Sequence, residues 1–176
     1  MSTIFLDNCL PKTARGDIVY QELDANTGQV LREIHEPNLV VDTHMDIFMA
    51  RIYEDNPDYR VRKARIGSDV GSGFDQDPEP PTKETVAGDM NVLYETENNV
   101  SVDYPNTRAI TYNIFLNGED IMNNFPGEDS IEFTSMALVT MNDHAFSYRR
   151  FPARTITEAI NINIAWTLYF DGAWSP

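Results

Sequence analysis

The chain has 176 residues, a usual length for one domain and enough to bury a core without disulfide bonds or a structural metal. Its 28 acidic and 13 basic residues give a net charge of −15, which repels nucleic acids and anionic membranes. The single cysteine, Cys9, excludes an internal disulfide, and no apolar stretch reaches the roughly 18 residues that a membrane-spanning helix needs. We therefore expect one folded domain over residues 1–176, with neither nucleic acid nor a membrane as its partner.

The N-terminal part of the chain predicts an arm followed by a β-hairpin. Residues 1–16 show little periodicity and lack the basic and apolar runs of a secretory signal, so we expect an extended arm and no signal peptide. Residues 17–36 form two alternating runs around Asn26 and Gly28, which tolerate the left-handed backbone of a hairpin turn. Apolar residues on both faces of this hairpin indicate that both faces are covered.

One amphipathic helix is predicted for the segment from Asp42 to Asp55. Thr43 and Asp46 make a capping-box-like start, and Pro57 stops the segment. Its apolar residues follow the i, i+3, i+4, i+7 spacing of one buried stripe. These residues are Met45, Phe48, Met49 and Ile52.

The middle of the chain changes character at residue 67. Residues 59–66 alternate and predict a strand, whereas residues 67–85 are rich in Gly, Pro, Ser and Asp and predict a long exposed loop. Short strands are expected at 91–95 and 100–104 because these segments combine valine, leucine and tyrosine in short runs.

The last third of the chain gives the clearest strand pattern. Strands are predicted within residues 107–118, 130–142 and 145–151, and residues 119–129 predict a loop with one possible helical turn. In the closing segment, 158–170, six apolar residues recur at every second position. They are Ile160, Ile162, Ile164, Trp166, Leu168 and Phe170.

Strands that follow one another with short turns and no βαβ alternation favour antiparallel pairing. We therefore predict a mainly β protein, an antiparallel β-sandwich with one N-terminal amphipathic helix and with an extended arm and loops. The closing strand should run through the centre of a sheet because one of its faces is wholly apolar. Its other face, with Asn161 and Asn163, is half polar and meets solvent or a neighbouring subunit.

No catalytic, cofactor or metal site is predicted. None of the three histidines has a partner at metal-ligand spacing; they are His35, His44 and His144. Cys9 lacks neighbours that would lower its pKa, and the glycine-rich residues 67–73 lack the lysine of a phosphate-binding loop. The oxygen-rich segments 74–80 and 117–129 are the alternative places for calcium, but neither matches the twelve-residue calcium loop. We therefore expect a protein that is not an enzyme.

Two basic clusters stand out against the acidic background. One comprises Arg149, Arg150 and Arg154; the other comprises Arg60, Arg62, Lys63 and Arg65. Each cluster has two interpretations, pairing with acids of the same chain or docking onto an acidic patch of a second copy. The interface candidates are Arg149, Arg150, Arg154, Phe74 and Trp174, together with the arm 1–16 and the loop 67–85.

The order of several short motifs resembles a diverse group of structural proteins of tailed bacteriophages. A hairpin with TGQVLREI is followed by NLVV and MDIFMARI, then by a strand that closes on IGSDVGSG, and near the end by SYRRFP and IAWTLYF. The resemblance spans roughly residues 19–72 and 130–170. Such proteins are found in the tail, collar or baseplate, often where fibres attach. The resemblance implies a β-sandwich subunit of a ring or of a fibre trimer, without enzymatic activity.

The same resemblance implies where the protein acts and what it contacts. It would be made in the host cytoplasm and carried in the virion, in its tail or neck region. Its partners would be other copies of itself and other tail or collar proteins of the virion. The alternative function is a carbohydrate-binding β-sandwich used in host recognition, with Phe74, Tyr104 and Trp174 as exposed aromatic residues and calcium as a possible ligand.

Overall fold

The computed structural model describes residues 15–39, 54–69, 90–97, 99–106, 109–143 and 145–169. Within these residues the protein is mainly β, with nine strands and one short helix. The strands are β1 (Arg15–Asp24), β2 (Val30–Leu39), β3 (Val61–Asp69), β4 (Met90–Glu97), β5 (Val100–Asn106), β6 (Ala109–Leu116), β7 (Ile131–Thr140), β8 (Ala145–Ile156) and β9 (Ile160–Tyr169). The helix is α1 (Gly118–Met122).

The strands are hydrogen-bonded in the order β4-β3-β7-β8-β2-β1-β9-β6-β5, and each registered pairing is antiparallel, as the alternating pattern predicted. Among the described residues, β2 and β8 are joined by one registered pair, Leu39 with Tyr148. This joint lies between a four-stranded half (β4, β3, β7 and β8) and a five-stranded half (β2, β1, β9, β6 and β5).

The predicted hairpin is confirmed by the antiparallel pairing of β1 with β2. Gly28 has a φ of +69°, a left-handed conformation that glycine adopts without steric cost. The Asp24 carboxylate accepts hydrogen bonds from the backbone N–H groups of Asn26 (3.0 Å) and Thr27 (2.8 Å). These bonds lower the pKa of Asp24, with the Thr27 N–H as the main cause, and they hold the turn in place.

The closing strand β9 lies inside the five-stranded half, paired with β1 on one side and with β6 on the other. Its side chains alternate between buried and half-buried along the strand. Ile162, Ile164, Trp166 and Leu168 have no exposed surface, whereas Ile160 is half-buried. The predicted central position of this strand is confirmed, and Phe170 lies outside the described residues.

Three predicted boundaries differ from the structure. Arg15 and Gly16, predicted as part of the arm, already belong to β1, and the first residues of the predicted 67–85 loop extend β3 to Asp69. Strand β8 continues through the exposed Pro152 to Ile156 instead of ending near residue 151. The remaining residues of the arm and of the loop lie outside the described part of the chain. Pairing with neighbouring strands extends β1 and β3, and local residue composition does not encode such pairing.

The predicted N-terminal amphipathic helix gains no support. Of that segment only Glu54 and Asp55 are described, in helical conformation, and its apolar stripe lies outside the described residues. The longest helix in the described stretches is α1, which has five residues and begins after Asn117. The Asn117 side chain accepts a hydrogen bond from the Asp120 N–H at 3.1 Å, as a helix cap does. The predicted single helical turn after residue 118 is therefore confirmed.

Side chains of the two halves also meet away from the β2–β8 joint. The rings of Tyr112 on β6 and Phe146 on β8 pack edge to face, with their centroids 5.7 Å apart. Arg154 on β8 lies over the Tyr20 ring of β1 at 4.0 Å. Each contact joins strands that are not neighbours in the hydrogen-bonded order. The buried apolar residues of both halves belong to one hydrophobic cluster.

Candidate functional site

The five-stranded half carries a hydrogen-bonded row of polar side chains on the face opposite its buried residues. Gln21 pairs in register with Glu33 on β2 and with Asn163 on β9, and paired residues of antiparallel strands share one face. The Gln21 amide donates to Glu33 Oε2 at 2.7 Å and accepts from Asn163 Nδ2 at 3.2 Å. Phe115 on β6 stands opposite Asn163 and closes the row with an aromatic ring that is 42% exposed.

Two further rows lie parallel to this one. In the first, Val19, Ala165 and Asn113 stand level with one another on β1, β9 and β6. In the second, the Thr111 and Thr167 hydroxyls are hydrogen-bonded at 2.9 Å. We call this surface the amide face; it comprises Val19, Gln21, Thr111, Asn113, Phe115, Asn163, Ala165 and Thr167.

The amide face is flanked by acidic groups. The Asn113 amide donates to Asp103 Oδ2 on β5 at 2.7 Å. At the opposite side, Glu33 accepts from Gln21 and lies 2.9 Å from His35 Nε2. These two contacts, that with Gln21 first, lower the pKa of Glu33 below its ordinary value. The face therefore presents fixed acceptors at both margins.

The four-stranded half carries a cluster of charges instead. Lys63 on β3 is only 7% exposed, and its Nζ lies 3.1 Å from Asp143, 3.4 Å from Glu97 and 3.7 Å from Glu95. Arg65 contacts Glu95 and lies 2.7 Å from Asp143. The hydrogen bond between Lys63 and Asp143 raises the pKa of the lysine and lowers that of the aspartate, because it favours both charged forms.

This charge cluster stabilises the β7–β8 turn, which contains a residue in left-handed conformation. Asp143 ends the β7–β8 turn with a φ of 65°, a left-handed conformation that is uncommon for residues other than glycine. The two cations of β3 bind its carboxylate from the neighbouring strand. The second basic cluster of the sequence thus pairs largely within the chain, since Arg62 also binds Glu54 at 2.6 Å. Arg60, the cluster's remaining member, is exposed.

Glu54 connects the chain before β3 to strands of both halves. Its Oε1 accepts the Val61 N–H at 3.0 Å and lies 3.5 Å from the Tyr112 hydroxyl on β6, while its Oε2 accepts from Arg62. Burial raises the pKa of Tyr112 well above its ordinary value, with the Glu54 charge as a second cause. Tyr112 therefore remains protonated, and it serves as a hydrogen-bond donor between the halves rather than as an acid or base.

The three predicted interface arginines have separate environments. Arg154 is 6% exposed, donates to Glu36 Oε1 at 2.7 Å and also lies over the Phe151 ring at 4.3 Å, which corresponds to the intramolecular alternative. Arg149 is half-buried, with its Nε 3.6 Å from Glu36 Oε2. Arg150 is half-buried and donates to the Tyr148 hydroxyl at 2.9 Å. Glu36 thus brings Arg149 and Arg154 together.

The other two interface candidates, Phe74 and Trp174, lie outside the described residues. The same holds for Cys9, His44 and His144, to which the sequence analysis assigned no site. Tyr104, the third aromatic residue of the carbohydrate hypothesis, is 46% exposed on β5. In the described part of the chain, no group of three or more His, Cys, Asp or Glu side chains is positioned to hold a metal ion.

Sequence reasoning identified the basic cluster that contains Lys63 and gave pairing within the chain as one alternative, but it found neither the acidic partners of Lys63 nor the amide face. The signal for the amide face was present in β9, where Asn161, Asn163, Ala165 and Thr167 alternate with the apolar residues. The partners of these residues on β1 and β6 depend on strand order, which the pattern did not give.

Comparisons of the chain with protein-family models, with curated proteins and with solved structures found no match. No helix in the described ranges is long and apolar enough to cross a membrane.

Proposed function

We propose that the protein is a structural subunit of a tailed-phage virion, an oligomeric component of the tail, collar or baseplate that joins neighbouring subunits or anchors fibres. The observation that carries this proposal is the order of motifs from TGQVLREI to IAWTLYF, which resembles that of such proteins. An antiparallel β protein is compatible with that role.

The proposal includes a β-sandwich, in which the two halves pack face to face. The ring contact of Tyr112 with Phe146 and the stacking of Arg154 on Tyr20 support this packing, because both cross between the halves. A second support is the short connection from Glu97 to Val100, which joins the outermost strand of one half directly to that of the other. Nuclear Overhauser contacts between the Tyr112 and Phe146 rings should be observed in solution.

Exposed apolar side chains support a role in contacts between subunits. Val30 and Leu31, at the start of β2, are 46% and 55% exposed, and adjoining exposed apolar residues are typical of interaction surfaces. Val92 on the outermost strand β4 is also exposed. Val92 thus lies on an edge strand, and Val30 and Leu31 lie at the end of β2 away from its registered pair with β8, where a neighbouring subunit has access.

Light scattering of the purified protein, alone and mixed with tail or collar proteins of the same phage, tests this proposal. We expect a defined oligomer or a defined complex at virion-like concentrations. Leu31→Asp should weaken that association and leave the melting temperature nearly unchanged, because the side chain is exposed. Glu128→Gln, at an exposed loop residue, is the matched control and should change neither quantity. A protein that stays monomeric and binds none of these components would contradict the proposal.

Arg150→Glu gives a second test, directed at the predicted interface arginines. If Arg150 meets an acidic patch of another subunit, charge reversal lowers assembly and has only a small effect on melting. If the melting temperature falls as far as it does for Arg154→Glu, the contact with Tyr148 makes Arg150 an internal residue like Arg154.

The alternative function, carbohydrate binding in host recognition, receives no support from the three aromatic residues first assigned to it. Two of them, Phe74 and Trp174, lie outside the described residues.

A further inference from the structure

We propose that the amide face of the five-stranded half binds a neutral oligosaccharide in a shallow depression centred on Ala165. This inference goes beyond the proposed structural role and does not depend on it. It rests on the shape of the face, on its fixed hydrogen-bonding groups, on one exposed aromatic ring and on the sign of the surrounding charge.

The depression follows from the sizes of neighbouring side chains. Ala165 lies in the middle of β9, between Val19 on β1 and Asn113 on β6, and is the smallest residue of the amide face. Its neighbours along the same strand face are Asn163 and Thr167. Longer side chains surround a single methyl group, so the centre of the face is lower than its margins.

The hydrogen-bonding groups around the depression are held in position before a ligand arrives. Gln21 is fixed between Glu33 and Asn163 by bonds of 2.7 and 3.2 Å, and Thr111 is fixed to Thr167. The bond to Gln21 uses one N–H of the Asn163 amide, so the second N–H and the carbonyl oxygen can bind adjacent hydroxyls of a sugar. Fixed groups lose little conformational entropy on binding, which favours affinity.

Phe115 provides the apolar part of the site. Phe115 stands opposite Asn163 in register, and 42% of the residue is exposed. By contrast, Phe133, Phe146 and Phe151 are buried. The C–H groups on one side of a pyranose ring pack on an aromatic face, whose negative quadrupole attracts them. An exposed ring next to amides therefore combines the two interactions that a sugar needs.

Charge restricts the ligand to a neutral one. From the level of Asp17 to that of Leu23, the register positions of this face in the described strands hold no lysine or arginine; Arg15, paired with Tyr169, occupies the next position beyond Asp17. His35 lies level with Val19 and contacts Glu33, and the acidic residues Asp17, Glu33 and Asp103 repel sialic acids, sulfated sugars and phosphates from the centre of the face. A protein partner fits less well, because interface centres are rich in aromatic residues and arginine and poor in acids.

A glycan array with neutral, sialylated and sulfated oligosaccharides tests the proposal. We expect the protein to bind a subset of the neutral glycans and none of the anionic ones. Titration of a bound neutral oligosaccharide by NMR should then show the largest shifts at Asn163, Ala165 and Phe115. Phe115→Ala should weaken binding about tenfold, equivalent to about 1.4 kcal/mol. Tyr59→Ala, which removes an exposed aromatic residue outside the five-stranded half, is the matched control and should bind normally.

A second variant, Ala165→Phe, fills the depression and should abolish binding, with circular dichroism to verify that the fold persists. An array without any neutral ligand would overturn the proposal, as would normal binding by both Ala165→Phe and Phe115→Ala. If these variants change the oligomeric state instead, the amide face is a protein interface and the proposal is likewise overturned. A wild-type protein that fails to assemble would bear on the virion role alone, so the two failures are distinguishable.

Discussion

The two halves of the molecule bury similar apolar residues, yet their opposite faces are stabilised by different chemistry. The five-stranded half carries neutral side chains joined by hydrogen bonds, such as Gln21 with Asn163 and Thr111 with Thr167. The four-stranded half carries ion pairs, in which Lys63 is surrounded by Asp143, Glu95 and Glu97. Amide hydrogen bonds change little with pH or salt, whereas these ion pairs weaken when salt is added and when their carboxylates are protonated at low pH.

The centre of the amide face holds no lysine or arginine although the chain is strongly acidic. Seven of the basic residues described by the structure belong to β3, to β8 or to the turn before β3; they are Arg60, Arg62, Lys63, Arg65, Arg149, Arg150 and Arg154. Five of these seven lie within 4 Å of an acidic side chain, and they are Arg62, Lys63, Arg65, Arg149 and Arg154. The amide face is consequently left with hydrogen-bonding groups and an acidic margin. Variants in each half therefore test this difference in stabilisation.

The largest effect is expected for Trp166→Ala in the five-stranded half. Trp166 is fully buried in the central strand, so its removal leaves a cavity and should lower the free energy of unfolding by about 3–5 kcal/mol. Urea denaturation measures this change. Thr167→Ala, the next residue on the opposite face of the same strand, is the control and should cost less than about 1.5 kcal/mol. Equal losses for both would contradict the central position of β9.

The next largest effect concerns the joint between the halves. Arg154→Met removes the cation that binds Glu36 and stacks on Tyr20, and leaves the Glu36 carboxylate without its closest partner. Breaking such a buried pair should cost about 3 kcal/mol. Arg32→Met is the control, because Arg32 is exposed and its ion pair with Glu22, at 3.8 Å, should contribute less than about 1 kcal/mol. Thermal unfolding of both variants at one pH checks the ranking, and a similar change for both would refute it.

A smaller effect is expected where α1 meets the β8–β9 turn. A methyl group on Gly118 would overlap the backbone carbonyl oxygens of Ile160 and Thr157, and backbone atoms cannot move aside as a side chain does. Gly118→Ala should therefore destabilise the protein by about 2 kcal/mol. Gly127→Ala is the control, because that glycine has open space around it and only a positive φ of 95°, which should cost about 1 kcal/mol. A more stable Gly118→Ala would show that α1 does not pack tightly on the turn.

The smallest effect concerns the pH dependence of the charged cluster. Lys63 lowers the pKa of Asp143 below its ordinary value of 3.8, so the aspartate binds its proton less readily in the folded state. Its stabilisation is therefore complete above about pH 4 and is lost as pH falls from there through the lowered pKa. Melting temperatures of the wild type and Asp143→Asn should converge below pH 4 and differ most near pH 6. A difference that is constant from pH 3 to pH 6 would exclude this linkage.

Strong local patterns in the sequence predicted much of the fold. The turn at Asn26–Gly28 and the alternation of β9 depend on residues close together in the chain, and both predictions were confirmed. The site depends on partners far apart in sequence: Asn163 bonds Gln21 from 142 residues away, and Lys63 bonds Asp143 from 80 residues away. Period-2 alternation indicates which face a residue shares but not which strand lies beside it, so neither surface followed from the pattern.

Electron cryo-microscopy of phage particles that carry this chain tests the central claim, that the protein is a structural subunit of the virion, most directly. The account predicts repeated copies of a nine-stranded antiparallel subunit in the tail, collar or baseplate, with β9 between β1 and β6 in each copy. Particles that assemble completely without any density for this subunit would contradict it.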